Sequence, residues 1–531
     1  MIFVRLRLIV LLLIAFALIR VAMTFRVFSA TNDEATHIGA GLELIQLHRY
    51  QVQRENPPLP RIILSAAPWL GGMSYNPEGG FIAGLHSVFY GNGKYERNLV
   101  LARSGNLLFF ALAAWTVWIL ARGALGDAGA LIALFLFTTE PIVLGYSGLA
   151  TTDAAGVAGT GVALIAFLRW LGAPDLSRAL LFGAAFGFSI LCKFSCIVDV
   201  PVACIAIAAL RVIQDRELRR QIARASLAMV PAAVVTLFMV WAGYGFTLRP
   251  LGDLAPWREA FGPRIGSMVA RLDPATRIPA PDFFIGIANL RMIDATGMNT
   301  YLWGHSGKSG WWWYFPFALL LKISLAALAL FIAGLLLTRR ERDLRGPCLE
   351  FSAAALSIVA IAMTSKLDIG VRYLLPFFVP FAVASAAGVL AMSRRGFAGR
   401  GIAIALLVFH AGVSLGAHPD YFPYFNVLAG REPSRYLIDS NLDWGQDALR
   451  LRTVIRKLKI TRIGLSLIGP ADYAALGYPE VYSANPALPL RGWLAISDHE
   501  RRMSEVDGGW RWLPEKPVQR VGKSISLYQL P

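Results

Sequence analysis

Two adjacent acids, Asp33 and Glu34, are the earliest side chains in the sequence whose type and position suit chemistry. They follow an apolar run over residues 6–28 that is long enough to cross a bilayer. A carboxylate beside low-dielectric material is costly to ionise, so it usually has a partner or a function. The pair therefore predicts either the capped N-terminus of a helix or a general base that faces a substrate at the level of the lipid.

Glu34 and His37 have the spacing of two metal ligands on one face of a helix. A single copy of this spacing supplies too few ligands for a closed site. A divalent metal is therefore compatible with the sequence but not indicated by it, and no other cofactor is indicated.

A third acid and several basic residues lie near the predicted ends of later apolar runs. Asp153 begins one of these runs, where it would either satisfy the helix dipole or face the same side as Asp33. The basic residues are Lys193, Lys322, Lys366 and Arg372, the last followed by Tyr373. Each could extend to lipid headgroups, but together they predict a site for an anionic headgroup, where they would stabilise charge on a departing phosphate.

The sequence carries no signature of a nucleotide-binding fold. The run Gly91-Asn92-Gly93-Lys94 lacks the Ser or Thr after the lysine and the upstream glycine that a phosphate loop has. No strand, glycine-rich turn and helix follow one another. An activated substrate would therefore not be a cytosolic nucleotide bound in a standard fold.

The elements that must position these residues are membrane helices. Of the 531 residues, 56% are hydrophobic and 16% are charged, whereas average soluble proteins have about 25% charged residues. Repeated apolar runs predict a polytopic α-helical membrane protein, because only helices and closed barrels satisfy the backbone in lipid. About eleven spanning helices are expected, near 6–28, 99–121, 128–147, 154–171, 178–193, 196–212, 223–245, 312–338, 347–364, 371–392 and 400–416.

Basic clusters set the expected orientation. The formal net charge is +17, which in a soluble protein would suggest nucleic acid, but cytoplasmic loops of membrane proteins collect Lys and Arg. With an odd number of spans, the clusters around Arg7, Arg219, Arg340 and Arg395 all fall on one side. We therefore expect a protein of the inner (plasma) membrane with a cytoplasmic N-terminus and no nucleic-acid partner.

The chain is expected to have two domains: a membrane domain over residues 1–416, with extracytoplasmic loops 29–98 and 246–311, and a small soluble α/β domain over 417–531 on the same side as those loops. The second region is polar, with a predicted helix over 446–458 and strands over 463–468 and 524–530. The four cysteines lie in or beside apolar runs, so no disulfide framework is expected.

A surface helix is expected to hold the acid pair in place. Ile38, Leu42 and Ile45 recur at helical spacing after Glu34, with polar residues elsewhere. The segment therefore predicts an amphipathic helix that lies on the membrane. Its end is expected at Asn56-Pro57-Pro58, since proline disfavours helix in the residue before it.

Several of these motifs, in this order, resemble those of the GT-C glycosyltransferases. Within that group the chain is similar to the protein O-mannosyltransferases and the lipid A aminoarabinose transferases. The residues that carry the resemblance are Asp33-Glu34, Glu55-Asn56-Pro57-Pro58-Leu59, Thr152-Asp153, Trp312 to Pro316, Arg372 to Pro376 and Asp439 to Gln446. The resemblance covers nearly the whole membrane part and implies the GT-C fold.

The resemblance also implies an activity. GT-C enzymes take a sugar from a polyprenyl- or dolichyl-phosphate donor and transfer it, with inversion, to a hydroxyl acceptor outside the cytoplasm. Carried over to this chain, it implies Asp33 as the base, with Glu34 and Asp153 as further acids. The predicted site is completed by the donor-phosphate residues Lys193, Arg372, Lys366, Lys322 and Tyr373 and by the acceptor-side residues His37, Glu55 and Asn56. The aminoarabinose enzymes have a lysine where Asn56 stands, so the sugar and the acceptor stay open.

Two other interpretations use the same residues. A transporter or flippase of lipid-linked sugars would use the cations for binding alone, but such transporters contain paired, broken helices related by internal repeats, and the sequence shows no such repeat. A scaffold whose polar C-terminal region binds envelope partners is the third interpretation. Glycosyl transfer is therefore the prediction, with a polyprenyl-phosphate sugar donor, a hydroxyl acceptor and the lipid bilayer as expected partners.

Overall fold

The computed structural model describes residues 2–214, 216–250, 267, 271 and 273–531. Of the predicted loop 246–311, residues 251–266, 268–270 and 272 therefore lie outside the described residues. The helices are α1 (Ile2–Ala22), α2 (Glu34–Leu47), α3 (Pro58–Leu70), α4 (Phe81–Tyr90), α5 (Tyr95–Ser104), α6 (Asn106–Thr139), α7 (Pro141–Ser147), α8 (Asp153–Gly172), α9 (Leu176–Cys192), α10 (Cys196–Gln214), α11 (Arg216–Ala225), α12 (Met229–Gly243), α13 (Pro281–Thr296), α14 (Tyr314–Lys322), α15 (Leu325–Leu337), α16 (Arg342–Ala362), α17 (Phe378–Ser393), α18 (Gly396–Gly416), α19 (Ala448–Lys457) and α20 (Asp498–Val506). The strands are β1 (Leu248–Pro250), β2 (Arg277–Pro279), β3 (Thr300–Leu302), β4 (His305–Gly307), β5 (Arg462–Ser466), β6 (Glu480–Ser483), β7 (Gly492–Ser497), β8 (Gln519–Val521) and β9 (Ile525–Leu530).

The chain is a multi-pass membrane protein. Within the described ranges, seven helical segments are long and apolar enough to cross a bilayer, or eight if α14 and α15 count as one span. One of the seven, Tyr95–Thr139, contains two predicted spans, which the non-helical Gly126 (φ 73°, ψ −173°) separates. Predicted spans also coincide with α1 and with α9, whose 17 residues are slightly short of a full crossing. The helices thus follow the predicted spans in place and order.

Two predicted spans contain breaks that their hydrophobicity does not reveal. α14 and α15 meet at 114°, because Ile323 between them is extended (φ −71°, ψ 146°) and interrupts the predicted helix 312–338. α7 is separate from α6 because Glu140 is extended before Pro141, which has no amide hydrogen to continue the helix.

Helix α2 is buried in the protein, so the expectation of a helix on the membrane surface is wrong. Ten consecutive residues, Glu34–Glu43, are buried, whereas an amphipathic surface helix would expose one face. α3 and α4 of the first loop (residues 29–98) pack against α2 and cover that face. The predicted end is also wrong: α2 stops before His48, which has a left-handed backbone (φ 51°), and Pro58 begins α3.

The tail, residues 417–531, ends in a five-stranded sheet of order β6-β5-β7-β9-β8. β5 is parallel to both its neighbours, and β9 is antiparallel to β7 and β8. The predicted helix 446–458 and the two predicted strands correspond to α19, β5 and β9. Leu451 and Ile455 of α19 pack against Ile463 and Leu527 of the sheet, which forms a core apart from that of the membrane helices.

Candidate active site

Asp33 and Arg372 meet although they lie far apart in the sequence. Asp33 precedes the first residue of α2 and makes no capping bond through its side chain. Arg372 lies in a 3₁₀ turn, Val371–Phe377, that precedes α17. Arg372 Nη1 donates to Asp33 Oδ2 at 2.9 Å. The two side chains are 12% and 22% exposed, so the pair lies at the edge of a buried region and is reachable from outside the protein.

A second ion pair joins Asp153 and Lys193. Asp153 is the first residue of α8, and Lys193 directly follows the last residue of α9. Lys193 Nζ lies 2.5 Å from Asp153 Oδ1, and Thr151 Oγ1 donates to Asp153 Oδ2 at 2.8 Å. Both charged side chains are buried, and two hydrogen bonds hold the carboxylate in place.

The Tyr373 ring connects the two ion pairs. Lys193 Nζ and the Arg372 guanidinium carbon each lie 5.3 Å from the centre of this ring. The site therefore gathers two carboxylates and two cations around one aromatic ring. Cations at this distance from a ring are attracted by its negative face, which keeps both of them near the same point.

Arg372 has hydrogen-bonding capacity to spare. Its Nε is buried and has no hydrogen-bond partner among the described residues. Buried donors are nearly always paired, so an unpaired one calls for an acceptor. A guanidinium presents its N–H groups as a fork that fits carboxylates and phosphates, and an anionic oxygen would complete it here.

Comparison with known proteins identifies the fold. A family model described as dolichyl-phosphate-mannose-protein mannosyltransferase matches residues 82–242, and no curated protein matches the sequence. By structure, the chain is similar to ArnT of Cupriavidus metallidurans, both bound to undecaprenyl phosphate and in the apo state. Each match has a TM-score of 0.50 and 15% identity and covers 98% of this chain and 97% of ArnT. The chain has the GT-C glycosyltransferase fold.

The GT-C resemblance expected from the motifs is thus confirmed, and the ArnT match extends over the membrane helices and the tail alike. A structure of the Archaeoglobus fulgidus oligosaccharyltransferase with a tethered acceptor peptide is also similar, with a TM-score of 0.42 and 15% identity. That match covers 89% of this chain and 64% of the oligosaccharyltransferase. The family-model match contains Asp153 and Lys193 of the candidate site, whereas Asp33 and Arg372 lie outside its range.

Glu34, which was expected to be a second acid of the GT-C site, faces away from it. Arg103 Nε and Nη2 donate to its two carboxylate oxygens, each at 2.7 Å, and both side chains are fully buried. Burial alone would raise the pKa of Glu34, but Arg103 and the backbone amides of Ala150 and Thr31 lower it below its usual value. Glu34 therefore anchors the first loop to Arg103, and the structure does not bring it to Asp33's partners.

The predicted acceptor-side residues lie close behind the ion pairs. His37 Nδ1 accepts from Arg61 Nε at 3.3 Å. Burial, together with Arg61, Arg372 and Lys193, lowers the pKa of His37 well below its usual value, so its ring is neutral. Because the ring faces Arg61 and Glu34 faces Arg103, these two side chains do not form a metal site. Across the described residues, no group of three or more His, Cys, Asp or Glu has the arrangement of a metal site.

Asn56 and Glu55 lie between α2 and α3 and bind residues of neighbouring elements. Thr152 Oγ1 donates to Asn56 Oδ1 at 3.1 Å, which places Asn56 beside Asp153. Asn289 Nδ2 donates to Glu55 Oε1 at 2.9 Å, and Glu55 Oε2 is buried without a hydrogen-bond partner among the described residues. Asn56 therefore borders the site directly, whereas Glu55 links it to α13.

Two of the predicted phosphate-binding cations lie elsewhere. Lys322 is fully buried and donates to Phe422 O at 3.0 Å and to Asn441 O at 2.5 Å. Lys366 is exposed and donates to Ala295 O at 3.1 Å. The ammonium groups of Lys322 and Lys366 thus bind backbone carbonyls. The structure does not bring either lysine into the cluster that Arg372 and Lys193 form around Tyr373.

Sequence reasoning missed Arg103 and Arg61, and the run Asp439 to Gln446 carried the resemblance without indicating which of its residues reach Arg372. Arg103 and Arg61 are completely buried, and an arginine inside the predicted span 99–121 was a signal, because such a charge requires a partner. Trp444 and Asp439 of the tail also reach the site. The Arg372 guanidinium carbon lies 4.5 Å from the centre of the Trp444 ring. No local sequence pattern predicts this contact, because the two residues lie in distant segments.

Asp439 adds a third carboxyl group near Arg372. Its backbone is left-handed (φ 54°), which is uncommon outside glycine and marks a position held by its surroundings. Burial raises its pKa to about 6, while the Ser440 backbone amide and Arg372 act in the opposite direction. The carboxyl group of Asp439 therefore changes its charge within the range in which enzymes commonly work.

Proposed function

We propose that the protein is an inverting glycosyltransferase that moves a sugar from a polyprenyl-phosphate donor to a hydroxyl acceptor on the extracytoplasmic side. One observation carries the proposal. A partly exposed carboxylate, Asp33, lies 2.9 Å from Arg372, and Arg372 keeps a buried Nε without a partner in the described part of the chain. A base and an incomplete anion site are thereby adjacent.

The isoprenoid phosphates of similar proteins support the choice of donor. The ArnT structure holds undecaprenyl phosphate, and the family model is described by dolichyl-phosphate-mannose. Both are sugar carriers of one chemical class, a phosphate on a long isoprenoid chain. Such a lipid would lie in the bilayer with its phosphate at the membrane surface, where Arg372 and Lys193 supply positive charge.

The proposed reaction is one displacement at the anomeric carbon of the sugar. The acceptor oxygen attacks this carbon from the face opposite the phosphate, a glycosidic bond forms, and the bond from carbon to phosphate oxygen breaks with inversion. Asp33 takes the proton of the acceptor hydroxyl. The electron pair leaves with the phosphate, whose added charge Arg372 and Lys193 stabilise.

Asp153 supports this reaction through Lys193. A buried cation needs a counter-ion, and Asp153 Oδ1 supplies one to the Lys193 ammonium at 2.5 Å. This contact fixes the position of the ammonium group, which lies 5.3 Å from the centre of the Tyr373 ring. Asp153 is therefore proposed as a partner of the phosphate-binding lysine, and Asn56 and His37 as the residues that shape the acceptor side.

Purified protein and a radiolabelled polyprenyl-phosphate sugar test the proposal. Wild-type protein should release polyprenyl phosphate and form a glycoside with a hydroxyl acceptor. Asp33→Asn should reduce kcat by about 10²–10⁴-fold, the usual contribution of a general base. Glu78→Gln removes an exposed acid of the same loop and should leave kcat unchanged. Movement of the intact lipid across vesicles without a new glycosidic bond would instead support a transporter.

A further inference from the structure

Eight residues of the tail, Asp439–Gln446, run beside both members of the first ion pair; we name them the tail segment. Trp444 O accepts a hydrogen bond from Asn32 N at 3.2 Å. Asn441 Oδ1 accepts one from Val371 N at 2.9 Å. Asn32 and Val371 directly precede Asp33 and Arg372. The tail segment is therefore bonded to the backbone immediately before each of the two residues.

Further contacts hold the tail segment in one place. Ser29 N donates to Gln446 O at 2.9 Å, and Ser29 Oγ donates to Gly445 O at 2.8 Å. On the other side, Ser440 Oγ donates to Ile369 O at 2.5 Å. Gly370 has no room for a side chain, because an added Cβ would lie 1.9 Å from Ser440 Oγ. The segment is thus fitted between the first loop and the turn that carries Arg372.

The Trp444 side chain contacts the reactive end of Arg372. The indole is 3% exposed, and the guanidinium carbon of Arg372 lies 4.5 Å from the ring centre. Phe422 packs nearly parallel to the indole, with ring centres 6.1 Å apart. A guanidinium stacks favourably on an aromatic face, and the attraction grows when water is excluded. The edge of a stacked guanidinium, which carries the N–H groups, remains available to other partners.

We propose that Trp444 is a positioning residue of the transfer site, which holds the Arg372 guanidinium on its indole face so that the unpaired edge receives the donor phosphate. The inference rests on the proposed function and adds that the tail, and not the membrane helices alone, determines donor affinity. Without the indole, the long arginine side chain has other rotamers open to it, and the phosphate must order it on binding. The indole packs on Phe422 and, of the charged side chains of the site, contacts that of Arg372, so its effect on the donor passes through Arg372.

Binding of undecaprenyl phosphate to the full-length protein in detergent tests the inference. Trp444→Leu should weaken binding about tenfold, and Trp444→Phe, which keeps an aromatic face, should weaken it less. In the transfer assay, the KM for the donor should rise with the KM for the acceptor unchanged. Trp510→Leu is the matched control, because Trp510 is another buried tryptophan of the tail, in a separate cluster from the transfer site. It should bind undecaprenyl phosphate as wild type does.

A double-mutant cycle separates positioning from general damage to the tail. In an Arg372→Lys background, Trp444→Leu should cause little further loss, since a lysine lacks the planar group that the indole holds. An equal loss in both backgrounds would overturn the inference, as would equal losses in Trp444→Leu and Trp510→Leu. If wild-type protein binds undecaprenyl phosphate and Trp444→Leu binds it equally well, this inference fails while the proposed function stands. If wild-type protein does not bind undecaprenyl phosphate, both the proposed function and this inference are wrong.

Discussion

Neighbouring residues of this chain have different partners because of where their side chains point. Asp33 and Glu34 are adjacent at the start of α2, where successive side chains project about 100° apart. Asp33 is 22% exposed and meets Arg372, whereas Glu34 is fully buried and meets Arg103. One acid is therefore accessible from outside the protein, and the other fixes the first loop to α5.

Glu34→Gln should damage the fold, with loss of activity only as a consequence. Removing one member of a buried ion pair leaves the other charge unpaired and costs about 3–5 kcal/mol of stability. The melting temperature in detergent should therefore fall clearly, whereas Asp33→Asn should melt close to wild type. The double variant Glu34→Gln with Arg103→Met should recover part of the loss. A Glu34→Gln protein that melts like wild type but has no turnover would contradict the assignment.

Arg372→Lys should raise the KM for the donor about tenfold with a smaller effect on the KM for the acceptor, because lysine keeps the charge but lacks the fork that fits a phosphate. Lys366→Ala is the comparison, because Lys366 was expected in the same pocket but is exposed and bonded to Ala295 O. Its donor KM should stay within about twofold of wild type, the range of surface substitutions. Equal effects of the two variants in steady-state kinetics would count against Arg372 as the phosphate ligand.

At the scale of elements, the tail segment acts as a connector between the tail sheet and the membrane helices. Its Asp443 is fully buried, and its oxygens accept from His499 N at 2.8 Å and Gly445 N at 3.4 Å. Burial raises the pKa of Asp443 to about 7. The carboxyl group thus connects α20 to the tail segment through hydrogen bonds, whose strength depends on its charge state.

Asp443→Asn should change the pH dependence of stability. Between the usual carboxyl pKa of about 4 and the raised value of about 7, the folded protein binds a proton that the unfolded chain has released. Stability therefore falls as the pH rises through this window and is level above it. Because asparagine carries no charge, the melting temperature of Asp443→Asn relative to wild type should increase from pH 5 to pH 8. The exposed Asp507→Asn should show no such change, and a constant difference for Asp443→Asn would refute the expectation.

At the scale of the whole molecule, the first loop and the tail lie together around the candidate site. Arg452 of α19 contacts Glu96 at 2.7 Å, and Asp472 contacts His86 at 2.7 Å. The basic residues predicted to be cytoplasmic form a different set of pairs, such as Arg211 with Glu350 and Arg394 with Asp343. The tendency of cytoplasmic loops to collect Lys and Arg is the ground for the proposed orientation, in which the site lies on the extracytoplasmic side.

Cysteine labelling tests this orientation directly. The four native cysteines are buried, so an impermeant maleimide should report only introduced ones. Glu78→Cys in the first loop and Glu515→Cys in the tail should label in intact spheroplasts. Arg340→Cys should label only after the membrane is opened. Labelling of Arg340→Cys before Glu515→Cys would invert the orientation and place the reaction on the other side.

The order of spans, the resemblance to GT-C enzymes and the segments that carry charge were readable from the sequence, because apolar runs and motifs are local. The breaks at Ile323 and Glu140 were not, since hydrophobicity measures transfer into lipid and does not depend on backbone direction. The buried state of α2 was missed for a related reason: the first loop covers it with residues that are distant in sequence.

The sequence by itself determined that this is a multi-pass membrane protein with acids and cations near the predicted ends of its spans. Only the tertiary structure decided which acid faces which cation, that Lys322 and Lys366 bind backbone carbonyls, and that Trp444 lies against Arg372. The physical reason is range. The free energy of transferring a segment into lipid is a sum over residues that are neighbours in the sequence. An ion pair or a stacked ring instead requires atoms from distant segments to lie within a few ångströms of each other. Only the packing of the whole chain fixes that distance.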